Sequence, residues 1–500
     1  MVRSNPGAGD VAAVPLPDGA FGACQVTGVE DRTVVVCALA WYSTRSPTLG
    51  ELDGVGPLVL DHHAHGGQPA HINVGRADPV PPGFAWLGNL PVTPDLPAVS
   101  DSSAGWWWLP AMITAQHRWD VDVPASEKQA YRASATRGHV EVDFGAGPVT
   151  LGAATARLDL TGAGPIPVPA SGPVRWSALD DLGCCTSLVW SGPDRGLTAV
   201  LAARPLIASL SWNDAPADID LSGSGLVSVR LAGARTRRLR LPRSSQELEL
   251  ADDVHLHEVT AHGHGRWLRL VIDSVRPDPV IPDGLGEVRN LVFTGDGVIS
   301  AAPLRALPDL ETLRLAWRAA PGQLTNSAAL AALGQLAAIE IFDGYALDAG
   351  TLPDLPALTS LNIYGIRRSV AAALTARYRR GDVDVVIGGA KSDTWLAANL
   401  TNPFRDWTDD DAHGGAAACK AYADAVRAVD KLPAEQPRQR VEAQRILRTL
   451  VDRLNHIDAR YGFIDTLRRE QAGDAFVDLA GRVGVPADLA DTWFDEWRDF

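Results

Sequence analysis

The chain has 500 residues, 46% of them hydrophobic, with 60 acidic against 45 basic side chains and a formal net charge of −15. That length holds about two to four domains with real cores, and the acidic balance argues against nucleic acid, which selects basic surfaces. No apolar run approaches membrane-spanning length and the opening MVRSNPGAGD lacks a signal core, so no membrane partner and a cytoplasmic location are expected.

Residues 10 to 95 read as β-rich. Val11, Ala13 and Pro15 alternate on one face, and Asp18-Gly19 signals a hairpin turn. Strands are predicted over Phe21–Val26 and Thr33–Trp41, where Val34-Val35-Val36 favours burial. Short apolar stretches follow at Gly56–Leu60, Ala70–Val74 and Phe84–Val92, broken by Pro79, Pro81 and Pro82. Short strands punctuated by Gly and Pro predict a barrel-like domain over residues 1–100.

A mixed α/β connecting region is expected over 101–205. Trp106-Trp107-Trp108 opens an apolar segment, and Ala125–Arg137 is free of Gly and Pro and predicts a helix. Val140, Val142 and Phe144 alternate as a strand, and Gly162–Pro173 marks a long loop or boundary.

The strongest pattern lies between Leu285 and Ile363. Leu285–Val288–Leu291–Phe293, Leu307–Leu310–Leu313–Leu315, Leu333–Leu336–Ile339–Ile341 and Leu355–Leu358–Leu361–Ile363 share one spacing, and their last members stand 22, 26 and 22 residues apart. This is the L-x-x-L-x-x-L-x-L core of a leucine-rich repeat, in which each unit buries its strand only against its neighbours. Upstream the beat is tighter, through Val229-x-Leu231, Leu239-x-Leu241, Leu248-x-Leu250 and Leu268-x-Leu270. Ten residues leave no room for a helix, so strand–turn–strand units closer to a β-solenoid are expected there. The solenoid is placed over 206–390, with helical backs at Ala328–Leu336 and Val370–Arg379.

From residue 391 the texture is helical to the end. Val441, Ile446, Leu447, Leu450, Val451, Leu454 and Ile457 form the clearest amphipathic stripe. Pro486 suits a first-turn position before Ala487–Trp497. An all-α cap over 391–500 is expected, because a stack of repeats exposes apolar core at its open end. The fold class is therefore α+β.

Few constellations suggest chemistry. Asp61-His62-His63-x-His65 follows a predicted strand, as ligands of metal hydrolases often do, so His62, His63 and His65 are the candidate metal ligands. Asp-His-His also resembles DHH-type phosphoesterases, but the upstream Asp-x-Asp element is missing. His255, His257, His262 and His264 form a second cluster, read as a solvated stripe. Arg230, Arg235, Arg237, Arg238, Arg240 and Arg243 crowd fourteen residues and offer a contact for an acidic partner or a phosphate. Gly388-Gly389-Ala390-Lys391-Ser392 is not a phosphate loop, since Ala390 and Val385 replace the required glycines. The five cysteines (Cys24, Cys37, Cys184, Cys185, Cys419) are scattered without a C-x-x-C pair, and read as reduced, buried thiols.

The chain resembles bacterial leucine-rich repeat proteins, strongly over 285–365 and loosely over 226–284. Asp296, Arg318, Gly344 and Ile366 stand where that family usually has asparagine, which implies a short, irregular arc. Asn402-Pro403-Phe404-Arg405-Asp406-Trp407 and Phe494-Asp495-Glu496-Trp497-Arg498 resemble the helical cap of actinobacterial proteins of this class. Gly9–Leu16, Gly19–Val26 and Trp86-Leu87-Gly88 weakly resemble immunity-type β domains, which neutralise a toxin by binding it.

The function expected is non-enzymatic binding of another protein, with no cofactor, through a strand face left free by the repeats. Arg238, Arg240, Glu249, Arg269, Arg314, Glu340 and Asn362 are the predicted contact residues, with Val292 in the same face. The alternatives are a metal-dependent hydrolase built on the Asp61–His65 cluster and an immunity component.

Overall fold

The computed structural model describes residues 6–500 apart from 63, 64, 77, 79, 82, 252, 253, 380, 382 and 433–437. It is mixed α/β, about 30% helix and 27% strand, with a large parallel sheet and a C-terminal helical region.

The N-terminal strands form an open antiparallel sheet in the order His71–Gly75, Thr33–Ser43, Phe21–Val29, Asp10–Pro15, Ala85–Asn89. The expected barrel does not close: the edge strands 71–75 and 85–89 do not pair with each other. Both faces are nonetheless dry. Val14, Val26, Val34 and Val36 pack with Leu109 and Ile113 on one side, and Val11, Ala23, Cys37 and Leu39 with Leu52 and Leu96 on the other. This explains why Val34-Val35-Val36 is apolar throughout rather than alternating. Leu109 and Ile113 belong to helix α1 (Trp108–Val121). Gly22 admits α1, because a Cβ there would meet Ile113 Cδ1 at 2.6 Å. Helix α2 (Ala125–Thr136) follows where sequence placed it.

The parallel sheet has eleven strands, running from Arg157–Leu160 to Asp384–Lys391. It thus begins well before residue 206. Its register aligns two apolar rows. One runs Leu158, Leu188, Leu210, Val229, Leu248, Leu270, Leu291, Leu313, Ile339, Leu361 and Val385; the other includes Trp190, Trp212, Phe293, Leu315, Ile341 and Ile363. From Leu158 to Leu361 the first row is at most 1% exposed. At about 1.5–3 kcal/mol per fully buried aliphatic side chain, this stacking dominates the region's stability.

The tighter upstream beat has a different geometry from the one expected. Val229-x-Leu231 and Leu248-x-Leu250 lie on the large sheet, whereas Leu239 lies on a separate three-stranded parallel sheet of Asp218–Asp220, Arg238–Arg240 and Glu258–Thr260. Successive ten-residue pieces therefore alternate between two sheets. The Leu268-x-Leu270 phase is also displaced by two: Leu248 and Leu250 pair with Leu270 and Ile272. Behind the later strands stand short 3₁₀ turns, Ala302–Ala306 and Ser327–Ala332. After helix α3 (Leu197–Ala203), the only later α-helical backing among the described residues is α4 (Arg368–Tyr378).

The C-terminal helices are α5 (Asp393–Asn399), α6 (Trp407–Asp410), α7 (Ala412–Val429), α8 (Arg438–Tyr461), α9 (Thr466–Gly481) and α10 (Ala487–Trp497). Ser392, Asp411 and Asp465 cap α5, α7 and α9 through their side chains. Leu447, Leu450, Val451 and Leu454 of α8 are buried against Phe404, Trp407 and Phe476, whereas Val441 is 71% exposed and lies outside the stripe. Arg405 fastens this bundle to the parallel sheet, donating to Asp343 at 2.5 Å and to Asp406 at 2.8 Å.

Candidate binding cleft

Alternation along a strand sends every second side chain away from the leucine rows. On the large sheet this outward face carries Glu247, Glu249, Arg269, Val292, Arg314, Glu340 and Asn362. Its charges form cross-strand pairs: Arg230–Glu249 at 2.9 Å, Arg269–Glu247 at 2.8 Å and Arg314–Glu340 at 3.7 Å. Arg289–Glu311, at 3.3 Å, lies just before two of the strands. Half-exposed pairs of this kind add little stability. They do hold the side chains in a fixed pattern.

This face is not the free flank expected from sequence. The N-terminal sheet and the segment leading into α1 stand over it, and a cleft of about 460 Å³ lies between. Asp78, Phe84 and Trp107 come from the roof, and Arg266, Arg314 and Glu340 from the floor. Trp107 lies 5.6 Å from the Arg269 guanidinium, a cation–π contact across the cleft. Arg118 of α1 holds the roof in place, donating to the carbonyls of Gly225 and of Pro205, the latter at 2.7 Å. A second, more apolar cavity of about 680 Å³ lies beneath α1, with Trp108, Met112 and Leu206 in its wall. Ala111 and Gln246 line both spaces.

Of the predicted contact residues, Arg269, Arg314, Glu340 and Asn362 line the cleft, and Glu249 lies on the same face beyond it. Arg238 and Arg240 do not join them. They sit on the three-stranded sheet, paired with Asp218 and Asp220. The arginine cluster of the sequence is thus dispersed, since Arg230 faces Glu249 on the large sheet and Arg237 donates to the carbonyls of Ala234 and His255.

His62 and His65 lie edge to face with ring centroids 4.5 Å apart, and both border the cavity under α1. His63 lies outside the described residues. Asp61 is bound elsewhere: Gln116 donates to its carboxylate at 2.6 Å, and Arg132 stands 3.8 Å away. Among the described residues no group of three or more His, Cys, Asp or Glu side chains could hold a metal ion. In the second histidine cluster, His257, His262 and His264 are exposed, and His255 faces Arg276. Lys391 is committed to Thr408 and Asp409, consistent with rejecting a phosphate loop.

Sequence reasoning missed Asn73, Asp78, Arg266 and Glu311. Asp78 and Arg266 lie in different halves of the chain, and no local motif joins them. Burial pushes the Asp78 carboxyl up to about 6, and nearby Glu340 adds to this against a bond from the Gly75 N–H. Burial likewise pushes Glu311 up to about 7, outweighing the opposing pull of Arg289 and Arg266. Two carboxyls raised in one cleft are a recognised mark of functional sites.

Among the described residues no helix is long and apolar enough to cross a membrane. No family model matches the sequence, and neither curated proteins nor solved structures give a match to it.

Proposed function

We propose that the chain is a non-enzymatic binding protein. Its parallel sheet is read as one flank of a leucine-rich-repeat-type solenoid, and the roofed cleft as the place where a partner protein inserts a segment. The observation that carries this reading is the outward face itself. Arg269, Arg314, Glu340 and Asn362 project from four different strands into one cleft walled by Phe84 and Trp107. Aromatic and arginine side chains at the centre of a concave surface are the groups that most often anchor a partner. The test is affinity capture from the native host with the full chain, comparing wild type with Arg314→Glu and Arg240→Glu. A specific partner should be retained by wild type and Arg240→Glu and lost with Arg314→Glu. Equal capture by both variants would sink the assignment to this face.

A further inference from the structure

The inner part of the cleft holds polar atoms that the protein leaves unused. Trp106 is 2% exposed, lines the cleft, and its Nε1–H meets no acceptor among the described residues. Arg266 Nε–H and Asn73 Oδ1 are buried and likewise without a hydrogen-bond partner. A buried polar group without a partner costs about 1–3 kcal/mol, so three on residues lining one space call for a partner there, water or a ligand.

The charges there carry the same message. The three arginines Arg269, Arg289 and Arg314 are matched with Glu247, Glu311 and Glu340. Arg266 and Asp78 are the exceptions. Among the described residues Arg266 makes no close ion pair: it acts on Glu311 only from a distance, and its guanidinium lies 5.8 Å from the Trp267 ring. A methyl placed on Gly83 of the roof would sit 3.7 Å from Arg266 Nη2, so this cation reaches across the cleft. Among the described residues Asp78 meets no cation either, and accepts from the Gly75 N–H at 3.1 Å; it is held above the usual carboxylate range. The floor therefore offers the Arg266 cation, and the roof offers the Asp78 carboxylate and Asn73 Oδ1 beside the Trp106 N–H. Phe84, Trp107 and Trp267 supply apolar surface between them.

We propose that the cleft binds a zwitterion, a free α-amino acid or a short peptide, with its carboxylate on Arg266 and Trp106 and its ammonium on Asp78 and Asn73. A volume of about 460 Å³ falls within the range of about 300–1,000 Å³ usual for small-ligand sites. The proposal rests on reading this cleft as the binding site, but it needs no protein partner.

The experiment titrates the full chain, by calorimetry and tryptophan fluorescence, with the free amino acids, with unblocked di- and tripeptides, and with N-acetylated and C-amidated forms of each. At least one unblocked compound should bind saturably, and its identity separates the two sources, free amino acid or peptide. Blocking either terminus should weaken binding about ten-fold or more, since a hydrogen bond to a charged group contributes about 1.5–3 kcal/mol. Arg266→Met and Asp78→Asn should weaken it similarly, and Arg240→Met should leave it unchanged. The blocked compounds test the idea on the unaltered protein should a variant fold poorly. The idea is overturned if no unblocked compound binds, or if blocked forms bind equally well. Partner capture by wild type together with no zwitterion binding would reject this inference while leaving the partner-binding reading in place.

Discussion

Glu311→Gln tests the electrostatics of the cleft directly. The Glu311 side chain is 13% exposed and stands 3.3 Å from Arg289, yet burial outweighs that cation and carries its pKa from 4.5 to about 7. A carboxyl raised on folding leaves the native state holding more protons than the unfolded chain between those two values. Stability contributed by the neutral form is therefore complete below about 4.5 and lost as pH rises through about 7. At about 1.4 kcal/mol per pH unit the loss reaches roughly 3 kcal/mol. An amide at this position keeps the shape of the carboxyl without titrating. The quantity to measure is the unfolding free energy of both proteins in urea at about pH 4.5 and about pH 8. The substitution should be more favourable at the higher pH by about 2–3 kcal/mol, whatever its own cost. A difference near zero, or of opposite sign, would show that Arg289 wins over burial and refute the reasoning.

Two further outcomes follow from the same structure. Arg405, whose side chain is 9% exposed, joins the helical bundle to Asp343, so Arg405→Ala should destabilise the chain by about 3–5 kcal/mol, as losing one member of a buried ion pair does; a loss below about 1 kcal/mol would contradict it. All five cysteines are buried, and burial pushes Cys24, Cys37 and Cys185 up to about 12. The native protein should then react with a thiol reagent at neutral pH only as fast as it opens, and rapid labelling of any one of the three would count against their placement.

The aliphatic rows were legible because their chemistry repeats. Leu291, Leu313, Ile339 and Leu361 occupy one register row, as their spacing requires. The boundaries of α10 were legible too, since Pro486 precedes its first turn and Trp497 ends it. The faces upstream were harder. Leu239 and Leu248 look equivalent in a ten-residue beat, but nothing local says that they belong to different sheets, and Arg238 and Arg240 go with Leu239 to the smaller one. The cleft was the least legible feature. Its roof is built from residues such as Asp78 and Phe84 and its floor from residues such as Arg266 and Glu340, and docking between segments so far apart leaves no periodic trace. The Trp106-Trp107 pair was the one hint, since adjacent indoles suit a ligand wall.

The cleft's two walls are also far apart in time. The roof leaves the ribosome early, whereas Glu340 and Asn362 on the opposite wall are translated hundreds of residues later. Domains generally acquire structure in order of synthesis, so the N-terminal sheet and α1 can pack together while Phe84 and Trp107, on the cleft side of the roof, still meet water. A chain interrupted before Ser360 would keep an intact roof over an incomplete floor. The floor is thus completed late, and a premature stop between Glu340 and Asn362 would truncate it without disturbing the segment made first.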